Sequence, residues 1–234
     1  MWVKVLLFFC VFLFGGVVMS IDSSEDDQQQ SYEELVNFDQ LFVGDPVEIE
    51  INFRKLLSQA KLLEDKSIYL QILSQIALAE AMQQKFDDAD KTLDDAEKQL
   101  APENYLARVR ILLERGRVLY QKGEFDSCVP FFKESYYLSV KHGFDYHSVN
   151  AAHMVAIGIK DPKEKINWNI LAIDLATKSS SVKAQAWLGS LYNNLGQAYL
   201  DDKDYQNALD AFKLTQKFRE KDGVEVLVKG ARCS

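Results

Sequence analysis

Three observations predict an all-α protein, a solenoid of antiparallel helix hairpins. Small residues recur at Ala77, Gly116, Ala156 and Gly196, separated by 39, 40 and 40 residues. Around each of them the apolar residues follow helical spacing rather than strand alternation. Short polar breaks at Gln84-Lys85, Lys122-Gly123-Glu124, Asp161-Pro162 and Asp201–Asp204 divide the segments into pairs. A fixed period of this kind marks stacked units that bury their apolar faces on one another. The 234 residues, 47% apolar and 26% charged with only 4 prolines, suit such an array.

The chain opens with a segment of a different kind. Lys4 precedes an apolar run over residues 5–19, and Val18-Met19-Ser20 places small residues at the two positions a signal peptidase reads. Residues 1–20 therefore read as a secretory signal cut near Ser20–Ile21, the run being short for a bilayer span of about 20 residues. Left uncleaved, residues 5–19 would be a membrane anchor. The expected location is accordingly exported, periplasmic or secreted. Residues 21–45 follow as an acidic disordered spacer (IDSSEDDQQQ) and a short cap carrying Tyr32, Leu35, Phe38 and Phe42.

The solenoid itself is expected over residues 46–222. Pro46–Glu64 places Ile49, Phe53, Leu56 and Ala60 on one face, like the second helix of a degenerate first unit. Three hairpins follow, pairing Ile68–Gln83 with Phe86–Leu100, Tyr105–Lys122 with Phe125–His142, and Tyr146–Lys160 with Lys163–Ser179. Gly123 is expected to be left-handed at its turn. In the third, Asn169 sits near the place of an expected alanine. Ala184–Leu200 and Tyr205–Glu220 close the series, and residues 223–234 are read as a C-terminal tail with Val224, Val226, Leu227 and Val228.

The last hairpin is the clearest. Tyr192, Leu195, Gly196 and Tyr199 line its first helix, and Tyr205, Ala208, Phe212 and Thr215 its second. Close crossing of the two helices requires the small residues at Gly196 and Ala208. An aromatic, Leu-Gly, a second aromatic, then Ala and Phe resembles the tetratricopeptide repeat. The wording YNNLGQAYLDDKDYQNAL is also similar to the longer repeats of kinesin light chains and related bacterial proteins. This resemblance implies a right-handed solenoid whose first helices line a concave groove that receives extended peptides or helices. It supplies no activity. The carboxylate clamp of some relatives does not carry over, since Leu78 stands where its first asparagine belongs and the matching lysine is missing from that helix.

Charge and motifs narrow the chemistry. A net charge of −8, or −9 once residues 1–20 are removed with Lys4, argues against nucleic acid as a partner. His142, His147 and His153 are separated by five and six residues and fall on different helix faces, so no metal site is expected. No HExxH, CxxC or phosphate-loop pattern occurs, and no cofactor is expected. The acidic run Asp87, Asp88, Asp90, Asp94 and Asp95 reads as a solvated helix face, and Asp145 or Ser148 as a helix cap. Cys128 occupies the place of Ala208 and reads as a small buried residue. A disulfide to Cys233 stays open. Trp187 reads as a ring that seals two repeats.

What remains is the surface that the resemblance assigns to partners. Its register names Gln71, Ser74 and Leu78, then Arg110, Leu113, Arg117 and Tyr120, then Asn150 and His153, and finally Ser190, Asn193 and Gln197. Arg110 and Arg117 lie two turns apart, so both guanidinium groups project the same way and suit a carboxylate. Salt bridges to Glu114 or other acids are the competing reading. Asn194 suits either a ligand backbone or a bond between repeats. The expected function is an exported, non-catalytic scaffold holding an unidentified protein or peptide. The rivals are a structural self-assembler joined through the tail and an accessory subunit of an envelope enzyme.

Overall fold

A computed structural model describes residues 44–62 and 65–232, and side chains as far as residue 220. The predicted signal, the spacer and cap up to residue 43, and Cys233 lie outside the described residues. Within them the chain is all helix: α1 Pro46–Leu62, α2 Lys66–Met82, α3 Phe86–Glu97, α4 Tyr105–Gln121, α5 Phe125–Lys141, α6 Asp145–Gly158, α7 Pro162–Lys178, α8 Val182–Gln185, α9 Leu188–Asp201 and α10 Tyr205–Arg232. No helix among the described residues is long and apolar enough to cross a membrane.

The turns follow from backbone chemistry at the helix ends. At α2, α4, α5 and α9 one residue flips to positive φ, namely Gln84 (62°), Gly123 (81°), Gly143 (70°) and Lys203 (64°). At each flip the residue's own amide and the one after it reach back to the orphan carbonyls of the last turn. Lys85, Glu124, Phe144 and Asp204 donate to Glu80, Leu119, Ser139 and Tyr199 at 2.8–2.9 Å. Gly123 adopts the expected left-handed state at no steric cost, whereas Gln84 and Lys203 adopt it with a side chain attached. The third hairpin turns differently. Asp161 caps α7 by accepting from the Glu164 amide at 2.9 Å, with Pro162 in the first turn.

Four hairpins result: α2/α3, α4/α5, α6/α7 and α9/α10. α1 packs on α2 as the second helix of a leading unit, tied by Arg54, which bonds Glu50 and Glu80 at 2.7 Å. The second helix of each hairpin also packs on the first helix of the next, α5 on α6 and α7 on α9. The first helices α2 and α4 lie along each other, whereas α4 and α6 are spread apart.

Size matching explains the small residues. A Cβ on Gly116 would fall 2.6 Å from Cδ1 of the fully buried Phe132, and one on Gly196 would fall 2.6 Å from Cε1 of Phe212. The close neighbour of Gly196 is thus the Phe212 ring rather than Ala208. The residue sixteen positions after each small residue is Leu93, Phe132, Ala172 or Phe212, so the glycines stand where phenylalanine follows and the alanines where a smaller residue does. Large and small side chains across one crossing keep its packed volume close to constant.

Several expectations are corrected. The last first-helix is broken at Ala186-Trp187 into α8 and α9, where the Trp187 ring turns in to lie 5.1 Å from that of His153. The closing helix does not stop at Glu220 but runs through Gly223 to Arg232. Neither Asp145 nor Ser148 caps α6: Asp145 accepts from the Ser179 hydroxyl at 2.6 Å, and Ser148 donates to the Phe144 carbonyl. Nor is the acidic run wholly solvated. Asp90 and Asp94, with Glu97, hold Arg115 of α4 at 2.7–3.4 Å, and Lys122 also bonds Asp90. Asn169 fills its buried place and donates to the Lys165 carbonyl at 2.9 Å. Cys128 is buried as a free thiol, pushed up in pKa by desolvation and donating to the Phe125 carbonyl.

Candidate functional site

The gap between α4 and α6 holds a cavity of about 160 Å³ lined by side chains from α2, α4, α6 and the turn before α9. α2 contributes Gln75 and Leu78; α4 contributes Arg110, Leu113, Glu114 and Arg117. Tyr146, His147 and Asn150 of α6 complete the wall with Trp187. These residues meet because the repeat period returns them to one face. Gln71, Arg110, Asn150 and Ser190 are equivalent positions, as are Gln75, Glu114, Met154 and Asn194.

The charge at the centre is an ion pair inside protein. Arg117 donates Nη1 to both carboxylate oxygens of Glu114 at 3.1 Å and Nη2 to Asn150 Oδ1 at 2.9 Å. Glu114 is 2% exposed and also accepts from Gln75 Nε2 at 3.3 Å. Desolvation pushes its pKa up against the pull of Arg117. Arg110 is likewise buried against the cavity, so the two guanidinium groups do face one space. The competing reading of Arg117, its pairing with Glu114, is the arrangement observed.

The two histidines on α6 are both held neutral. Desolvation, then Arg110 and Arg117, push His147 well below the ordinary histidine range. His153 is lowered to about 4 by desolvation and Arg117. Asn194 Nδ2 donates to His153 Nδ1 at 3.2 Å, which makes that asparagine a bond between repeats. His142 stands apart, stacked on Tyr105 at 3.8 Å. No group of three metal-ligating side chains comes together among the described residues.

The structure separates the other expected surface residues. Gln71, Ser74 and Leu78 are buried, as are Leu113, Asn150 and His153. Tyr120 is half-buried against the core and meets Phe125 edge-on at 5.1 Å, away from the cavity. Ser190 is exposed and Asn193 half-buried, and neither lines a described cavity. Gln197 belongs to a second hollow of about 190 Å³, lined also by Lys165, Asn169, Asn194 and Asp201. The surface register omits Gln75, Tyr146 and His147, the last of which enters the sequence reading only as a metal-ligand candidate that is set aside. The available signal was the repeat equivalence of Gln75 and Glu114, two polar residues at a position where Met154 follows.

Comparison with known proteins addresses the fold. Residues 189–221, the last hairpin, match the family model described as tetratricopeptide repeat. No curated protein matches the chain. Among solved structures it is similar to BtubC (BKLC) from P. vanneervenii, at 16% identity and a TM-score of 0.63 over 85% of this chain and 87% of that one. It is also similar to the apo form of RapI, at 16% identity and a TM-score of 0.62 over 83% and 69% of the two chains. The kinesin-light-chain "nearly identical TPR-like repeats" from Podosopora anserina align at 15% identity and a TM-score of 0.52, covering 83% and 93%. At such identities the shared property is the fold. This chain is a helical solenoid of tetratricopeptide-like hairpins, and its last hairpin carries the tetratricopeptide-repeat signature.

Proposed function

We propose that this protein is an exported, non-catalytic scaffold that holds a segment of a partner protein along the face of its first helices. An acidic side chain or terminal carboxylate of that segment would sit against Arg110 and Arg117. The observation that carries the reading is the cavity between α4 and α6, where two guanidinium groups face one carboxylate beside aromatic and amide side chains. Neighbouring first helices α4 and α6 are spread more than α2 and α4, and although Arg117 bridges them to Asn150 the hollow of about 160 Å³ leaves room for one side chain or terminal carboxylate of the segment. Export is supported by Lys4, the apolar run over 5–19 and the small residues before Ile21. The absence of catalysis is supported by the titratable groups, since His153 and Glu114 are engaged by Asn194 and Arg117 and Cys128 is buried with a raised pKa.

The test uses the full chain as bait in an extract of its own cells. Arg110→Gln removes one positive charge without placing a second acid beside Glu114, and it should weaken capture of the wild-type partner roughly tenfold. Equal capture by both baits would overturn the site. N-terminal sequencing of the mature protein should begin near Ile21, and a chain still beginning at Met1 in the cytoplasm would overturn export.

A further inference from the structure

We propose that the hollow between α7 and the C-terminal half of α9 is a further binding site, one that takes a neutral carboxamide, with Asn169 as the acceptor at its buried end. The first buried residue of the second helices α3, α5 and α10 is small, namely Ala89, Cys128 and Ala208. In α7 that place is taken by Asn169, which is 3% exposed. Its amide nitrogen faces the Lys165 carbonyl at 2.9 Å, a group that only accepts, so the side-chain oxygen is turned the other way. That oxygen is buried and has no hydrogen-bond partner among the described residues. The bond to Lys165 adds little to the fold, because this carbonyl lies four residues back in the same helix, where the backbone already supplies a donor. Packing of the hairpin therefore does not ask for the polar oxygen, which the other three hairpins do without. A buried polar atom left open at one repeat alone is a group kept for something outside the chain.

The wall around that oxygen selects the ligand. Its charged side chains are Lys165 and Asp201, which pair with each other at 3.7 Å, and Asp201 also accepts from Gln197 at 3.3 Å. A ligand carboxylate would compete with Asp201 for Lys165, and an ammonium with Lys165 for Asp201, so the hollow suits a neutral group. Asn194 gives one amide hydrogen to His153 and has a second. α7 thus supplies an acceptor and α9 a donor, on two sides of a hollow of about 190 Å³, well above the share of about 30 Å³ that one water takes. A carboxamide carries its donor and its acceptor on separate atoms, so a single group can meet both walls, whereas a hydroxyl has both on one oxygen. Ala156, Ile157 and Ala198 give apolar surface to the carbons that carry the amide. Two sources present this group, a glutamine or asparagine side chain and a main-chain peptide.

In NMR of the isotope-labelled full chain, N-acetylglutamine methylamide should shift the side-chain amide signals of Asn169 and Asn194 saturably, and acetate or methylammonium at the same concentration should not. An equal response to N-acetylalanine methylamide assigns the main chain as the source, and a response to the glutamine probe alone assigns the side chain. Asn169→Ala copies the residue of α3 and α10. Followed on Asn194, it should weaken probe binding at least roughly tenfold while the thermal midpoint stays level or rises, a combination that a merely structural amide would not give. The proposal is overturned by the absence of a saturable shift, as where water alone fills the hollow, or by an equal response to acetate or methylammonium. It is overturned equally by an Asn169→Ala chain that binds like wild type or that melts earlier. The probes do not pass through Arg110, so this site and the one between α4 and α6 can fail separately.

Discussion

At the scale of single residues, the crossings of the hairpins turn on one atom. Spacing marks Gly116, and spacing together with the close crossing of the last hairpin marks Gly196; both stand under a phenylalanine ring. Gly116→Ala gains about 1 kcal/mol of helix propensity but drives a methyl into Phe132, which has no exposed side to move toward, and overpacking of this kind costs about 1–3 kcal/mol. The expected net effect in urea titration is a loss at Gly116. The double variant Gly116→Ala with Phe132→Leu, which copies the Ala77 and Leu93 pair, should recover part of it. Gly196→Ala should be milder, because Phe212 is only half-buried and its ring can swing. The histidines make a second prediction. His153 titrates near 4 in the folded chain and near 6.5 when unfolded, so between those values the unfolded chain takes up a proton that the folded one refuses. Stability should fall as pH drops through that window, by roughly 3 kcal/mol for His153 alone. The lowered pKa of His147 acts in the same direction. Glu114, raised by burial, acts in the opposite sense, binding its proton more readily when folded. His153→Gln should flatten the wild-type dependence between pH 6.5 and 4 in urea titrations; an unchanged slope would contradict the buried, neutral state.

At the scale of elements, helix periodicity gave the boundaries to within a few residues, and the exceptions have physical causes. Ala184–Leu200 reads as one amphipathic run, yet the chain breaks at Ala186-Trp187 because the Trp187 ring packs inward, on His153 and Tyr146 of the preceding hairpin. No local pattern encodes a contact made 34 residues away. Residues 223–234 read as a tail separate from the last helix, but a glycine only permits a helix to end, and α10 continues through Gly223. The acidic face of α3 looked solvated because its cations come from another helix. Arg115 bonds Asp90, Asp94 and Glu97 while itself 12% exposed, so Arg115→Ala should cost about 1–3 kcal/mol in thermal or urea unfolding. Arg115→Lys should not restore it, since one ammonium cannot span three carboxylates as a planar fork does.

At the scale of the whole molecule, the repeat period of about 40 residues was fully legible, because each unit must bury its face on its neighbour and so keeps the same small and large residues in register. The candidate site was legible in part. Register brought Arg110, Leu113, Arg117 and Asn150 to one cavity, but it gave no measure of how far neighbouring helices cover a first helix, and most of the expected surface is buried. It also could not decide between Glu114 and a ligand for Arg117, a choice made by burial and distance. The central claim is that a partner segment lies against α4 and α6. Hydrogen exchange of the full chain with and without its captured partner tests this most directly. The account predicts added protection concentrated in Tyr105–Gln121 and Asp145–Gly158, and protection confined to the second helices α3, α5 and α7 would contradict it.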